Sequence, residues 1–335
     1  MNPIPVPGRV RRTVAASAVA GLALVAGSSP ALAATAPSAE VIDGTLSVEG
    51  SPAVERIALR LDALDANRLL VDFGDDGTAD AAFDRTTFDA IHVDAGSGDD
   101  TVRIDQVNGI FTTTERTRVD GGNGDDTLLG GSGGEILVGG NGTDLVDGNA
   151  GADTGLLGRG DDVFVWDQGD GSDVVEGGSG ADAMVFNGFG ASEAMAATAN
   201  GGRVLFTRVQ GGIVMNLDDV ETIDVRPLGG ADTVTVNDTA GTDLERVEVD
   251  LAASLGASAP DFAADVVRVV GTEGDDTIAA TADGAVAVVS GLAAVVRVGN
   301  ADATADTLAI DSLGGVDSIS IDPALGGLVL VKQGA

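Results

Sequence analysis

Between Gly121 and Val185 an acidic residue returns at a fixed place in a glycine-rich stretch. The chain there reads GGNGDDTLL, GGSGGEILV, GGNGTDLVD, GNAGADTGL, LGRGDDVFV, then WD, then QGDGSDVVE and GGSGADAMV. The sixth position of each unit carries Asp126, Glu135, Asp144, Asp153, Asp162, Asp173 and Asp182, and a separate upstream copy, AGSGDDTVR from Ala95 to Arg103, carries Asp100. Glycines permit the positive φ angles of tight turns and let backbone carbonyls crowd a single ion. A hard cation such as calcium takes about six to eight oxygens at roughly 2.3 to 2.6 Å. Sixth-position carboxylates, joined by backbone carbonyls near Gly122, Gly124, Gly140, Gly142, Gly160, Gly171, Gly178 and Gly180, make a suitable donor set.

The elements that must position these groups are short strands. The eighth-position residues Leu128, Leu137, Val146, Phe164, Val175 and Met184 end runs whose apolar side chains point inward to a narrow stacked core. The nine-residue unit resembles the G-G-x-G-x-D-x-U-x repeat of the RTX, or hemolysin-type, calcium-binding proteins, where U is a large apolar residue. That resemblance implies a parallel β-roll with two units per coil, turns alternating between two edges, and each ion held between one turn and the next on the same edge. The rows agree with it: Asp126, Asp144, Asp162 and Asp182 are 18, 18 and 20 residues apart, and Glu135, Asp153 and Asp173 are 18 and 20 apart. The inserted Trp166-Asp167 shifts both rows alike, widening one coil without breaking the stack. The implied cofactor is Ca2+ at about five bridged sites. Four positions depart from the pattern: Glu135 stands for Asp, Asn149 for the second Gly, Leu157 for the first, and Gly155 for an apolar core residue.

Charge supports cations as partners. The 335 residues carry 18 Lys+Arg against 53 Asp+Glu, a formal net charge of −35. Such an imbalance repels nucleic acid and anionic lipid, because counterion release needs basic side chains. With no Cys there is neither a disulfide framework nor a thiolate metal site, so divalent ions take the stabilising role. A hydrophobic fraction of 44% separates the chain from acidic disordered segments, whereas 3% aromatics leave small and β-branched residues to fill the interior.

The segment 1–33 reads as an address. Arg9, Arg11 and Arg12 precede an apolar run from Val14 to Ala26 and then Pro30-Ala31-Leu32-Ala33, the pattern of a signal peptide cleaved after Ala33. Cleavage removes three basic residues and no acidic one, leaving 15 basic against 53 acidic. The apolar run is too short for a membrane span, so the mature chain is expected to be secreted, by a Sec or twin-arginine route, into a medium rich in calcium.

The flanks alternate. Thr222-Ile-Asp-Val, Thr233-Val-Thr-Val, Val247-Glu-Val, Val286-Ala-Val-Val, Thr307-Leu-Ala-Ile and Ser318-Ile-Ser-Ile read as half-buried strands, with turn fragments at Gly229 to Asp232, Gly274 to Asp276 and Gly314 to Asp317. Those fragments lack a partner at the coil spacing and read as plain turns. The expected fold is all-β: a signal peptide over 1–33, a β-rich solenoid-like region with one isolated repeat (95–103) over 34–118, a parallel calcium-binding β-roll over 119–188, and a degenerate β-solenoid over 189–335.

Catalysis is not expected. His92 is the chain's one imidazole and lies in an alternating strand, no HExxH motif exists, and the G-x-S-x-G match at Gly130 to Gly134 falls inside the repeats. The enzymatic alternative is a polysaccharide-acting β-helix, a lyase or glycosidase, that carries such repeats. The favoured reading is an exported calcium-binding protein with a structural or surface role, holding calcium ions and engaging a cell-wall or extracellular polymer.

Overall fold

The computed structural model describes residues 36–334; the signal-peptide reading over 1–33 lies outside them. Short runs rich in Val, Ile, Leu and Thr form 28 strands, and these join into two sheets of 14 strands each. No helix among the described residues is long and apolar enough to cross a membrane.

In the repeat region the chain steps between the sheets at every turn. Ala90–Ser97, Arg116–Asn123, Ile136–Asn141, Thr154–Arg159 and Val174–Ser179 lie side by side, all parallel, in the first sheet. Thr101–Asp105, Thr127–Leu129, Leu145–Asp147, Val163–Trp166, Ala183–Asn187 and Thr222–Arg226 do the same in the second. Each coil of the register returns Leu137 opposite Gly155 and Val146 opposite Phe164, the two-unit period of the sequence. This is a parallel β-roll. The Trp166-Asp167 insertion lengthens one coil equally in both sheets, where Leu156 faces Glu176 and Val165 faces Val185.

The core is one file of inward side chains. Leu128, Leu137, Val146, Phe164, Val175 and Met184 are all buried, as the period-two alternation of a strand requires. Gly155 has a packing reason: a Cβ there would come within 2.8 Å of the Phe164 ring, so the smallest residue on one sheet accommodates a large ring on the other. The inserted Trp166 is also buried, and it stacks on Phe186 with ring centroids 4.0 Å apart.

Both sheets continue through the flanks. The expected strands appear as Thr222–Arg226, Thr233–Val236, Arg246–Asp250, Val286–Ser290, Thr307–Asp311 and Ser318–Ile321. Parallel coils alternate there with antiparallel excursions that the alternating pattern alone did not show. Ala194–Asn200, Arg203–Arg208 and Ile213–Asp218 meander within the first sheet, and Thr277–Asp283, Val286–Ser290 and Val295–Gly299 within the second. A further hairpin closes the N-terminal end, where Asp43 and Gly44 both adopt positive φ between Ser38–Ile42 and Thr45–Glu49. That dipeptide is a two-residue hairpin signal.

Candidate metal centre

Each repeat turn brings backbone oxygens together because its glycines leave no room for anything else. Gly142 has φ +142° and Gly160 φ +128°, and a Cβ on either would overlap the carbonyl oxygen of the glycine one coil earlier, Gly124 and Gly142 respectively. At the first position of the turn, a Cβ on Gly121 would lie 2.6 Å from Asp126 Oδ2 and 2.7 Å from the Gly139 carbonyl oxygen. A carboxylate oxygen of one turn and a carbonyl oxygen of the next thus share one small space, a cradle that any side chain would fill.

The sixth-position carboxylates are locked into a ladder along the first edge. The amide of Asp126 donates to Asp144 Oδ1 (2.8 Å), that of Asp144 to Asp162 Oδ1 (2.7 Å), and that of Asp162 to Asp182 Oδ1 (2.9 Å). Asp100, separate in sequence, joins the same row directly, its amide donating to Asp126 Oδ1 at 2.7 Å. The longer loop between Asp100 and Asp126 leaves the register undisturbed, because Thr101 faces Thr127 as Thr127 faces Leu145. Glutamates end the row: the Glu55 amide donates to Asp100 Oδ1, and the Asp182 amide donates to Glu221 Oε2.

One oxygen of each aspartate is therefore committed to the backbone. The other, Oδ2 of Asp100, Asp126, Asp144, Asp162 and Asp182, is buried with no hydrogen-bond partner, on residues at most 1% exposed. A buried carboxylate oxygen without a partner is costly, and several in one row more so. The donor set of bare carboxylate and carbonyl oxygens fits a hard divalent cation of the calcium type.

The second edge is less uniform. The Glu135 amide donates to Asp153 Oδ1 and the Asp153 amide to Asp173 Oδ1, at 2.7 and 2.8 Å. Asp153 Oδ2 is again unpartnered. Glu135 is different: its extra methylene carries the carboxylate back onto its own turn, where Oε2 accepts from the Gly131 amide and Oε1 from that of Gly133. Glu55 does the same toward the Ser51 amide. The two glutamates cap their rows from within, whereas the shorter aspartates leave an oxygen free.

Burial, opposed in part by the backbone hydrogen bond and reinforced by neighbouring carboxylates, raises the row's pKa values. Asp126 is pushed up to about 7, and Asp100, Asp144, Asp173 and Asp182 to about 6. Asp153, beside Glu135, and Asp162 are raised for the same first cause. A fifth-position row outside the ligand set, Asp99, Asp125 and Asp161, tightens the outer turn: Asp99 Oδ1 accepts from the Asp125 amide, Asp125 Oδ1 from that of Thr143, and Asp161 Oδ1 from that of Ala181. Its residues were visible in the repeat but carry no feature of their own that marks them.

The sequence matches the family described as RTX calcium-binding nonapeptide repeat (4 copies) over residues 118–134, 129–164 and 169–188. Those residues carry RTX calcium-binding repeats. Calcium is the ion such repeats bind, in agreement with the unpartnered oxygens of the RTX rows. Among solved structures, the extracellular lipase LipA from Serratia marcescens is similar at 12% identity, over 57% of this chain and 44% of that one, with a TM-score of 0.17. The chain spans under half of that lipase, and a likeness of this size says nothing of lipase activity here. Comparison with the curated proteins found no match. Of the groups weighed for catalysis, His92 lies on a strand outside the matched repeats and Ser132 lies within the Glu135 turn. His92 Nε2 is 2.6 Å from Asp120 Oδ2 on the face of the first sheet, and the Ser132 hydroxyl donates to Gln106 Oε1.

Proposed function

We propose that the chain is an exported, non-catalytic calcium-binding protein whose roll is completed by calcium and then offers a stiffened solenoid surface to a cell-wall or extracellular polymer. The observation that carries this reading is the file of buried, unpartnered Oδ2 oxygens running in register along the RTX coils. Asp100, Asp126, Asp144, Asp162 and Asp182 on one edge and Asp153 on the other would hold the ions, with turn carbonyls such as that of Gly139 beside them. Bound calcium supplies positive charge and oxygen coordination there, and six such oxygens put the count at about five to six ions.

The chain's own residues do the rest. Glycine turns present the carbonyls, Oδ1 hydrogen bonds fix each carboxylate, and the buried file of aliphatic side chains holds successive turns at one spacing. Without the ion, mutual repulsion within the rows loosens the coils. Support for export comes from the signal-like 1–33 segment and the acidity of the remaining chain.

The test is far-UV circular dichroism of the chain from Ala34 during titration with calcium, against magnesium as control. A saturable, calcium-specific gain in β signal that chelator reverses is expected. A spectrum indifferent to calcium, together with no bound calcium by equilibrium dialysis, overturns the reading. Pull-down on cell-wall material with and without chelator then tests the polymer, and binding that ignores calcium counts against it.

A further inference from the structure

The turn fragments after the RTX match read as plain turns because no acidic neighbour stands at the coil spacing of the repeats. The structure corrects that. The Glu193 amide donates to Asp232 Oδ1 (2.7 Å), the Asp232 amide to Asp265 Oδ1 (2.7 Å), and the Asp265 amide to Asp306 Oδ1 (3.0 Å). This is the bonding of the RTX rows at spacings of 39, 33 and 41 residues. Strand register enforces it: Ala194, Thr233, Val266 and Thr307 face one another in consecutive parallel strands, and each row residue immediately precedes one of them.

The row has the same division of labour as the others. Glu193 reaches back to the Phe189 amide of its own turn and pairs with Arg208, and Asp306 Oδ2 accepts the Asp302 amide. The two interior members differ from those ends. Asp232 Oδ2 and Asp265 Oδ2 have no partner, on residues 1% exposed. The turn before Asp232 is Pro227-Leu-Gly-Gly-Ala, with positive φ at Leu228 (73°) and Gly230 (130°), the two places at which Gly122 (107°) and Gly124 (125°) also have positive φ before Asp126. A Cβ on Gly188 would lie 2.8 Å from the Pro227 carbonyl oxygen, as one on Gly121 would lie beside that of Gly139. Asp261 joins them, its Oδ2 accepting the Gly230 amide at 2.8 Å.

We propose that Asp232 and Asp265, with Asp261 beside them, form a further calcium site in the C-terminal coils, outside the residues that the RTX repeat covers. It rests on the same cation chemistry as the roll, but on different residues. Its role follows from its place: it ties together the coils from Asp232 to Asp265 and from Asp265 to Asp306, whose long connections give the roll's glycine stack no continuation.

The experiment uses the full chain from Ala34 in three forms: wild type, Asp232→Asn/Asp265→Asn, and Asp126→Asn/Asp144→Asn/Asp162→Asn. Asparagine keeps Oδ1 as an acceptor, and circular dichroism in saturating calcium checks the fold. Equilibrium dialysis is expected to show about one calcium per chain fewer in the first variant. Hydrogen exchange of the second variant is expected to show calcium-dependent protection of peptides covering 227–236 and 260–270. Undiminished calcium in the first variant, or exchange at those peptides indifferent to calcium in both wild type and the second variant, overturns the C-terminal site. Wild type that binds only at those peptides would instead overturn the roll and leave this site standing.

Discussion

A single methylene separates the two kinds of acid in this molecule. Glutamate at a row position turns its carboxylate onto its own turn's amides, as Glu135 does at Gly131 and Gly133, and so satisfies itself without metal. Aspartate is shorter, and at Asp100, Asp126, Asp144, Asp153, Asp162 and Asp182 it leaves Oδ2 buried without a hydrogen-bond partner. Asp276 and Asp306 are exceptions that sharpen the point: Asp276 Oδ2 accepts the Thr272 amide and Asp306 Oδ2 that of Asp302, so both are satisfied despite sitting in rows. Asp144→Ala is therefore expected to remove about one to two calcium ions per chain, because Asp144 borders two cradles, while Asp276→Ala removes none. Equilibrium dialysis checks both, and equal losses would sink the assignment.

The raised pKa values carry a sign. A carboxyl whose folded pKa is about 6 to 7 against an ordinary value of 3.8 binds more protons folded than unfolded across that interval. The calcium-free roll is thus most stable near pH 4 and loses stability as pH rises toward 7. Urea midpoints in chelator are expected to fall between pH 5 and pH 7.5, and calcium binding at pH 6 to release protons, visible by calorimetry in buffers of different ionisation enthalpy. A midpoint that rises with pH would contradict the burial of the free rows.

At the scale of elements, coil stacking depends on glycine where carbonyls touch and on complementary volumes where side chains touch. Gly160→Ala combines φ +128° with an overlap on the Gly142 carbonyl, and is expected to cost on the order of 3 kcal/mol or more in saturating calcium. Gly155→Ala meets only the flexible edge of Phe164 and is expected to cost about 1 to 3 kcal/mol, partly restored by Phe164→Leu in the same chain. Urea unfolding of the four-member cycle measures the coupling, and strict additivity would mean the two residues do not share space. Trp166, the chain's one tryptophan, reports on the same packing. It is buried against Phe186 and its Nε1 donates to the Gly171 carbonyl in a second-edge turn. Chelation is expected to red-shift its emission and calcium to restore it; emission that never moves would place the insertion outside the ion-dependent coils.

Over the whole molecule, the sheets pass without a break from aliphatic coils to glycine coils and back. The N-terminal coils bury Leu46, Val48, Ile57, Leu59, Leu69, Val71, Ile91 and Val93, and pair Arg60 with the buried Asp72 at 2.7 Å. Most half-coils of the roll bury one apolar residue, with Trp166 added beside Phe164 and Phe186 beside Met184, and each edge carries a row of carboxylates. Hydrogen exchange in chelator is expected to open 116–187 well before 38–73, with the N-terminal hairpins acting as a cap that needs no ion. Simultaneous opening would mean that the roll and its cap are one cooperative unit. The repeat period, the acid at its sixth place, the inward residue at its eighth and the alternating strands of the flanks were all legible in the sequence, because each follows from spacing inside a short window. Only the tertiary structure decided which of those acids meet, which keep an oxygen free, and that Asp100 and Asp232 stand in rows at all. Asp100 meets Asp126 and Asp232 meets Asp265 across loops of unequal length, and parallel strand register, not chain distance, brings them together.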